Sequence, residues 1–157
     1  MNTETHRLAD QLQRSFEGGA WHGPSVLESL DGVTSDQAYA HPVPGVHSIW
    51  ELVLHLTANY RLVLRRLAGE NAQLTPGEDW PHVPSPTASN WSDAVGSLRR
   101  LNEEIRRLVI QFDPRHLDDV PATGTPYTAY TYFIGLTQHD LYHAGQIAVL
   151  KKTLSRP

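Results

Sequence analysis

Apolar residues recur along most of this chain with the period of a helix. Between Ala94 and Phe112 they fall at Ala94, Leu98, Leu101, Ile105, Leu108 and Phe112. That alternation of four and three places them on one stripe of a helix packed in a bundle. Arg99, Arg100, Glu103, Glu104, Arg106 and Arg107 lie off the stripe and read as a solvated face with helical ion pairs. Asn90 is a cap at the start, and Asp113-Pro114 ends the segment.

A second helix is predicted from Ser48. Ser48-Ile49-Trp50-Glu51 has the form of a capping box, with Ser as N-cap and Glu three residues on. Ile49, Val53, Leu56, Tyr60, Val63 and Leu67 form one stripe, and Leu52, His55, Asn59 and Leu62 a second beside it. A face that wide suits a helix touching two neighbours. Gly69 supplies a stop. The last helix is predicted to begin near Thr125-Pro126 and run to about Leu154, with Tyr132, Leu136, His139, His143, Gln146 and Leu150 inward. A first helix covers about Thr3 to Glu17, with Leu8, Leu12 and Phe16 inward and Gly18-Gly19 after it. One short helix is expected near Ser25 to Leu30, then Pro-rich loop to Val46. A second long loop is expected from Glu70 to Ser89. The prediction is an all-α chain: one domain over residues 1–157, an up-and-down four-helix bundle with long crossing loops.

Composition narrows what such a bundle does. The formal net charge of -4 leaves no bulk basic surface for a nucleic-acid backbone. No run of eighteen apolar residues is present, so no transmembrane helix is expected. The polar start from Met1 to Arg14 lacks the apolar centre of a signal peptide, so a cytoplasmic location is expected. There are no cysteines, which excludes disulfides, a thiolate nucleophile and a Cys-rich zinc site. No phosphate-binding glycine loop and no serine nucleophile elbow occurs.

The unusual residue is histidine, present nine times. His139 and His143 stand at i and i+4, so their rings project from one helix face. Both fall on the inward stripe. A lone inward histidine is ordinarily a hydrogen-bonded core residue, but two on one seam are costly to bury without partners. Two imidazoles so placed can grip one metal ion. A third from a neighbouring helix would complete a facial triad and leave positions open for water or substrate. Spacing does not say which histidine that is. Three neutral imidazoles with an open position describe a catalytic site for Zn, Ni, Co or Fe(II), able to activate water, polarise a carbonyl or bind a thiolate. Gln146 and Asn59, one turn away, are placed to orient a bound water or substrate. His22, His41, His47 and His82 read as rim or surface residues, and His6 and His116 as surface. Asp140 points about 100° away from His139 round the helix and reads as exposed or interfacial. Trp50, Trp80 and Trp91 read as core or pocket wall.

The segments Ser48-Ile49-Trp50-Glu51-Leu52-Val53-Leu54-His55-Leu56 and His139-Asp140-Leu141-Tyr142-His143-Ala144-Gly145-Gln146-Ile147, with Asp79-Trp80-Pro81 and Trp91 between them, resemble the DinB-like superfamily. That superfamily includes YfiT-type metal-dependent hydrolases and bacillithiol and mycothiol S-transferases. The resemblance implies a four-helix bundle and a divalent metal held by His55, His139 and His143. It thereby supplies the third ligand. Zn or Ni is the first expectation for the metal, with Mn or Fe next. The resemblance further implies a homodimer, and a small-molecule substrate that includes a low-molecular-weight thiol or is hydrolysed. A non-catalytic metal-binding stress or interaction protein is the alternative. The catalytic residues beyond the ligands are not identified.

Overall fold

The computed structural model describes residues 3–121 and 124–155. Among them the secondary structure is helical throughout, with no strand. The helices are α1 (Glu4–Phe16), α2 (Val26–Leu30), α3 (Ser35–Tyr39), α4 (Ile49–Leu67), α5 (Pro76–Asp79), α6 (Ala88–Gln111) and α7 (Ala129–Leu154). A single 3-10 turn spans Pro114–His116. No helix is long and apolar enough to cross a membrane among these residues.

Each α-helix starts at a Ser or Thr whose hydroxyl accepts a hydrogen bond from a first-turn backbone N–H. The predicted box at Ser48 is complete: the Ser48 hydroxyl takes the Glu51 N–H and the Glu51 carboxylate takes the Ser48 N–H. The same reciprocal pair at Thr34/Gln37 and Thr75/Glu78 starts α3 and α5, two short helices inside segments expected to be loop. At the other end of α4, Gly69 has φ +88. Its N–H reaches the Arg66 carbonyl while the Glu70 N–H reaches that of Arg65, so the last carbonyls are satisfied in a Schellman turn. Two boundaries differ from expectation. α6 begins at Thr87 rather than Asn90, and α7 at Thr128 rather than Thr125. Pro126 thus precedes the helix instead of opening it.

The long helices α1 and α4 each pack against both α6 and α7. One core joins them, built on Leu12 and Phe16, Trp50, Leu56 and Tyr60, Leu98 and Ile105, and Phe133 and Ile147. The directions depart from the expected up-and-down arrangement. Trp50 packs on Trp91 with ring centroids 5.1 Å apart. Ten residues on, the Tyr60 hydroxyl accepts a hydrogen bond from Asn102. Both pairs advance in the same sense, so α4 and α6 run parallel. α4 and α7 run antiparallel, since His55 faces His143 and Arg66 lies over Tyr132. Strict alternation would give the reverse in both cases. The chain between α4 and α6, residues 68–87 with α5 inside it, is what allows this. Helices of these lengths extend roughly 30 Å, and about twenty residues of extended chain can cover that return.

The buried seam of α6 keeps the predicted Leu98 and Ile105 and adds Trp91, Asn102 and Val109, while the predicted Ala94, Leu101, Leu108 and Phe112 are half-buried against the core. Asn102 belongs to a polar brace that takes one residue from each long helix. The Asp140 carboxylate of α7 accepts hydrogen bonds from Tyr60 of α4 (2.7 Å) and Ser15 of α1 (3.1 Å). The Tyr60 oxygen in turn accepts from Asn102 of α6 (2.9 Å). Asp140 is fully buried, against the expectation of an exposed or interfacial residue. The reason is that α7 packs against α1, α2 and α4, so a turn of 100° from one buried face meets another.

Candidate metal centre

His55 lies in the second turn of α4, while His139 and His143 stand one turn apart on antiparallel α7. The fold brings the three together. His139 Nε2 is 3.1 Å from His55 Nε2 and 2.9 Å from His143 Nε2. One nitrogen from each ring lies within 4.8 Å of the others, and no further His, Asp or Glu donor joins the group among the described residues. His55 and His143 are buried, with 8% and 4% of their surface exposed.

The outer ring nitrogens fix how the inner ones are protonated. His55 Nδ1 lies 3.0 Å from both the Asp79 carbonyl and Oδ1 of the Asp79 side chain. An ionised carboxylate and a carbonyl only accept, so Nδ1 carries the proton and Nε2 presents a lone pair. His143 Nδ1 is 2.6 Å from the Gln146 amide oxygen, with the same consequence. Both of these lone pairs are aimed at a single His139 nitrogen. One N–H there can satisfy only one of them. Without a cation the cluster has more acceptors than donors at contact distance. With a cation at the common focus, all three lone pairs have a partner. Metal–nitrogen bonds of about 2.0–2.1 Å place neighbouring ligand nitrogens roughly 3 Å apart, which the 2.9 and 3.1 Å separations match. The residues therefore fit a divalent metal.

Electrostatics also favours the ligand form. Burial, then proximity to His143 and His55, lowers the His139 pKa to about 4. Burial is the main cause that lowers His143 too, against the opposing bond to Gln146. Both rings are neutral at pH 7, as metal ligation requires.

The surrounding side chains hold this arrangement. Asn59, one turn after His55, donates to Asp79 Oδ1 (3.0 Å) and to the His55 carbonyl (3.0 Å). Asn59 and Gln146, which were expected to orient water or substrate, are engaged with Asp79 and His143, and Asn59 also lines the pocket beside His139. Trp80 stacks on His55 at 4.1 Å, and His47 stacks on Trp80 at 3.5 Å, with the ring planes nearly parallel in both pairs. Trp80 is half-buried against the core, one of the two roles expected of it, and His47 remains on the rim. Sequence reasoning gave Asp79 no role at the site, although Asp79-Trp80-Pro81 carried part of the resemblance. His41 bonds Glu51, and His116 bonds Asp119, away from the centre. On its open side His139 lines a pocket of about 260 Å³ between α4 and α7.

No curated protein and no solved structure matches the chain. The sequence model of the DinB superfamily matches residues 20–147, from the turn after α1 to the turn of α7 beyond His143. That stretch contains all three clustered histidines and most of the chain, which therefore belongs to the DinB superfamily.

Proposed function

We propose that the chain is a metal-dependent enzyme acting on a small molecule, with His55, His139 and His143 as the ligands of Zn or Ni. The observation that carries this is a three-histidine cluster with no fourth side-chain donor among the described residues, one member of which lines a pocket. A structural zinc is closed by four protein ligands, whereas a catalytic one keeps a position free. The metal, when bound, supplies a Lewis acid that lowers the pKa of a water or thiol held at that position. The chain does the rest. Asp79 and Gln146 fix the ring tautomers, Asn59 fixes Asp79, and Trp80 shields one face of His55 from water. The reaction class we favour is thiol transfer to an electrophile, with hydrolysis second. The long helices form the bundle that carries this site, in one domain, and assembly as a homodimer in the cytoplasm completes the reading.

The deciding experiment loads the protein with zinc or nickel and assays two panels. One pairs low-molecular-weight thiols with a fluorogenic haloalkyl acceptor, and the other contains esters and amides. The expected result is turnover with thiols at least tenfold above the chelator-treated protein. One metal per chain with no turnover in either panel would move the assignment to a non-catalytic metal-binding protein.

Removing the Asp79 side chain tests the support of the ligands. Asp79→Ala deletes the carboxylate beside His55 Nδ1 and the acceptor of Asn59. The expected effect is a loss of about 10–100-fold in metal affinity, measured by competition with a chromophoric chelator, with the helical fold retained. An affinity equal to wild type would remove Asp79 from the site.

A further inference from the structure

The pocket beside His139 has a chemistry of its own. Its walls are the apolar side chains of Leu62, Val63 and Leu136 and the rings of Tyr127 and Tyr132. Its far end is Arg66. Seven residues separate Asn59 from Arg66 along α4, and seven separate His139 from Tyr132 along α7. The pocket therefore extends on the order of 10 Å from the histidine cluster to the guanidinium.

Arg66 is half-buried and held in place by neutral groups. Its Nε donates to the Ala72 carbonyl and one Nη to the Gln73 amide oxygen, and its Cζ lies 5.8 Å from the centre of the Tyr132 ring. No carboxylate pairs with it among the described residues, in contrast to Arg65, which is neutralised by Glu70. An oriented guanidinium without a counter-ion, at the end of an apolar slot, is arranged to receive an anion in the planar geometry a carboxylate offers. The α7 wall leaves room for the rest of the molecule. Gly135 lines the slot, and a Cβ built on it meets nothing within 4 Å.

We infer that this pocket binds a small molecule with an apolar body and a terminal carboxylate, the carboxylate on Arg66 and the other end at the histidine cluster. Arg66 is then a specificity-determining residue for the site proposed above. The inference rests on the metal reading only for what happens at the reacting end.

Octanoate and octanamide are the probes, titrated calorimetrically into chelator-treated protein so that no metal competes for the carboxylate. Octanoate is expected to bind wild type at least tenfold more tightly than octanamide. Arg66→Gln should abolish that preference and Arg66→Lys keep part of it. Gly135→Leu, which leaves Arg66 and its partners intact, should weaken both ligands by at least tenfold without lowering the melting temperature. Equal affinity for the two probes, a preference that survives Arg66→Gln, or unaltered binding in Gly135→Leu would each overturn the inference. A third probe, 8-mercaptooctanoate, separates it from the metal reading. Tighter binding after zinc loading joins the pocket to the metal. No gain, with the octanoate preference intact, overturns the link between pocket and metal and leaves the anion pocket standing.

Discussion

Alanine in place of His143 is expected to lower affinity for zinc or nickel on the order of 100- to 1,000-fold. The magnitude follows from sites with four ligands, whose apparent binding free energies of about 10–16 kcal/mol correspond to roughly 3–4 kcal/mol for each ligand. His143 presents its Nε2 lone pair because Gln146 takes up its other nitrogen, so the variant loses a ligand already oriented for the purpose. His139 and His55 remain 3.1 Å apart and can still hold a metal weakly. Elemental mass spectrometry of protein purified without a histidine tag reads the outcome: about one metal per chain in wild type, and none retained through dialysis in His143→Ala or His55→Ala. Helical circular dichroism of the metal-free proteins controls for folding. Full metal retention by His143→Ala would end the assignment of this cluster as the metal site, whatever the activity assays gave.

Much of this centre could be read before the fold was known, and the remainder could not, for physical reasons. The stripe along α4, its capping box at Ser48 and the i, i+4 pair on α7 are local properties, written in residues a few positions apart. The boxes that start α3 and α5 were equally local, and were passed over inside Pro-rich stretches. Contacts between distant segments are different. A hydrophobic stripe tells which face of a helix is buried, but neither against which neighbour nor in which direction, so the parallel run of α4 and α6 was hidden. His55 entered through family resemblance, since nothing in its own spacing points to α7. Asp79 reaches His55 from a short helix 24 residues away, with no periodicity to reveal it. α7 packs on three helices and carries apolar Tyr130, Tyr142 and Val149 even on its exposed side, so its pattern marks no single seam, and the argument from one seam put Asp140 on the wrong side.

That misplaced carboxyl leads to a second large effect, on stability rather than metal binding. Burial pushes Asp140 up to about 7, outweighing the bonds from Tyr60 and Ser15 that favour its ionised form. Its unfolded value is 3.8, so folding takes up a proton between those limits. The stabilising contribution is full below the unfolded value and is lost as pH rises through about 7. A shift of this size corresponds to about 4 kcal/mol. His139 acts in the opposite sense in chelator-treated protein. Its folded value of about 4 lies below the ordinary 6.5, so its contribution is present above 6.5 and is lost as pH falls toward 4, by about 3 kcal/mol. Between pH 4 and 7 the two slopes offset each other, and wild type conceals both. Asp140→Asn removes one of them, because an amide occupies the same space without titrating. The variant is expected to be more stable than wild type at pH 8, by about 4 kcal/mol, since it no longer buries a carboxylate whose Oδ1 has no hydrogen-bond partner. Near pH 4, where the wild-type carboxyl is also neutral, the two should agree within about 1 kcal/mol. Urea unfolding of chelator-treated protein across this range gives the difference curve, in which the histidine and all surface groups cancel. A rise from pH 4 to 8 assigns the shifted proton to Asp140. A flat difference would mean that the carboxyl titrates alike in the folded and unfolded chain, and that the brace joining the four long helices is built on some other charge state.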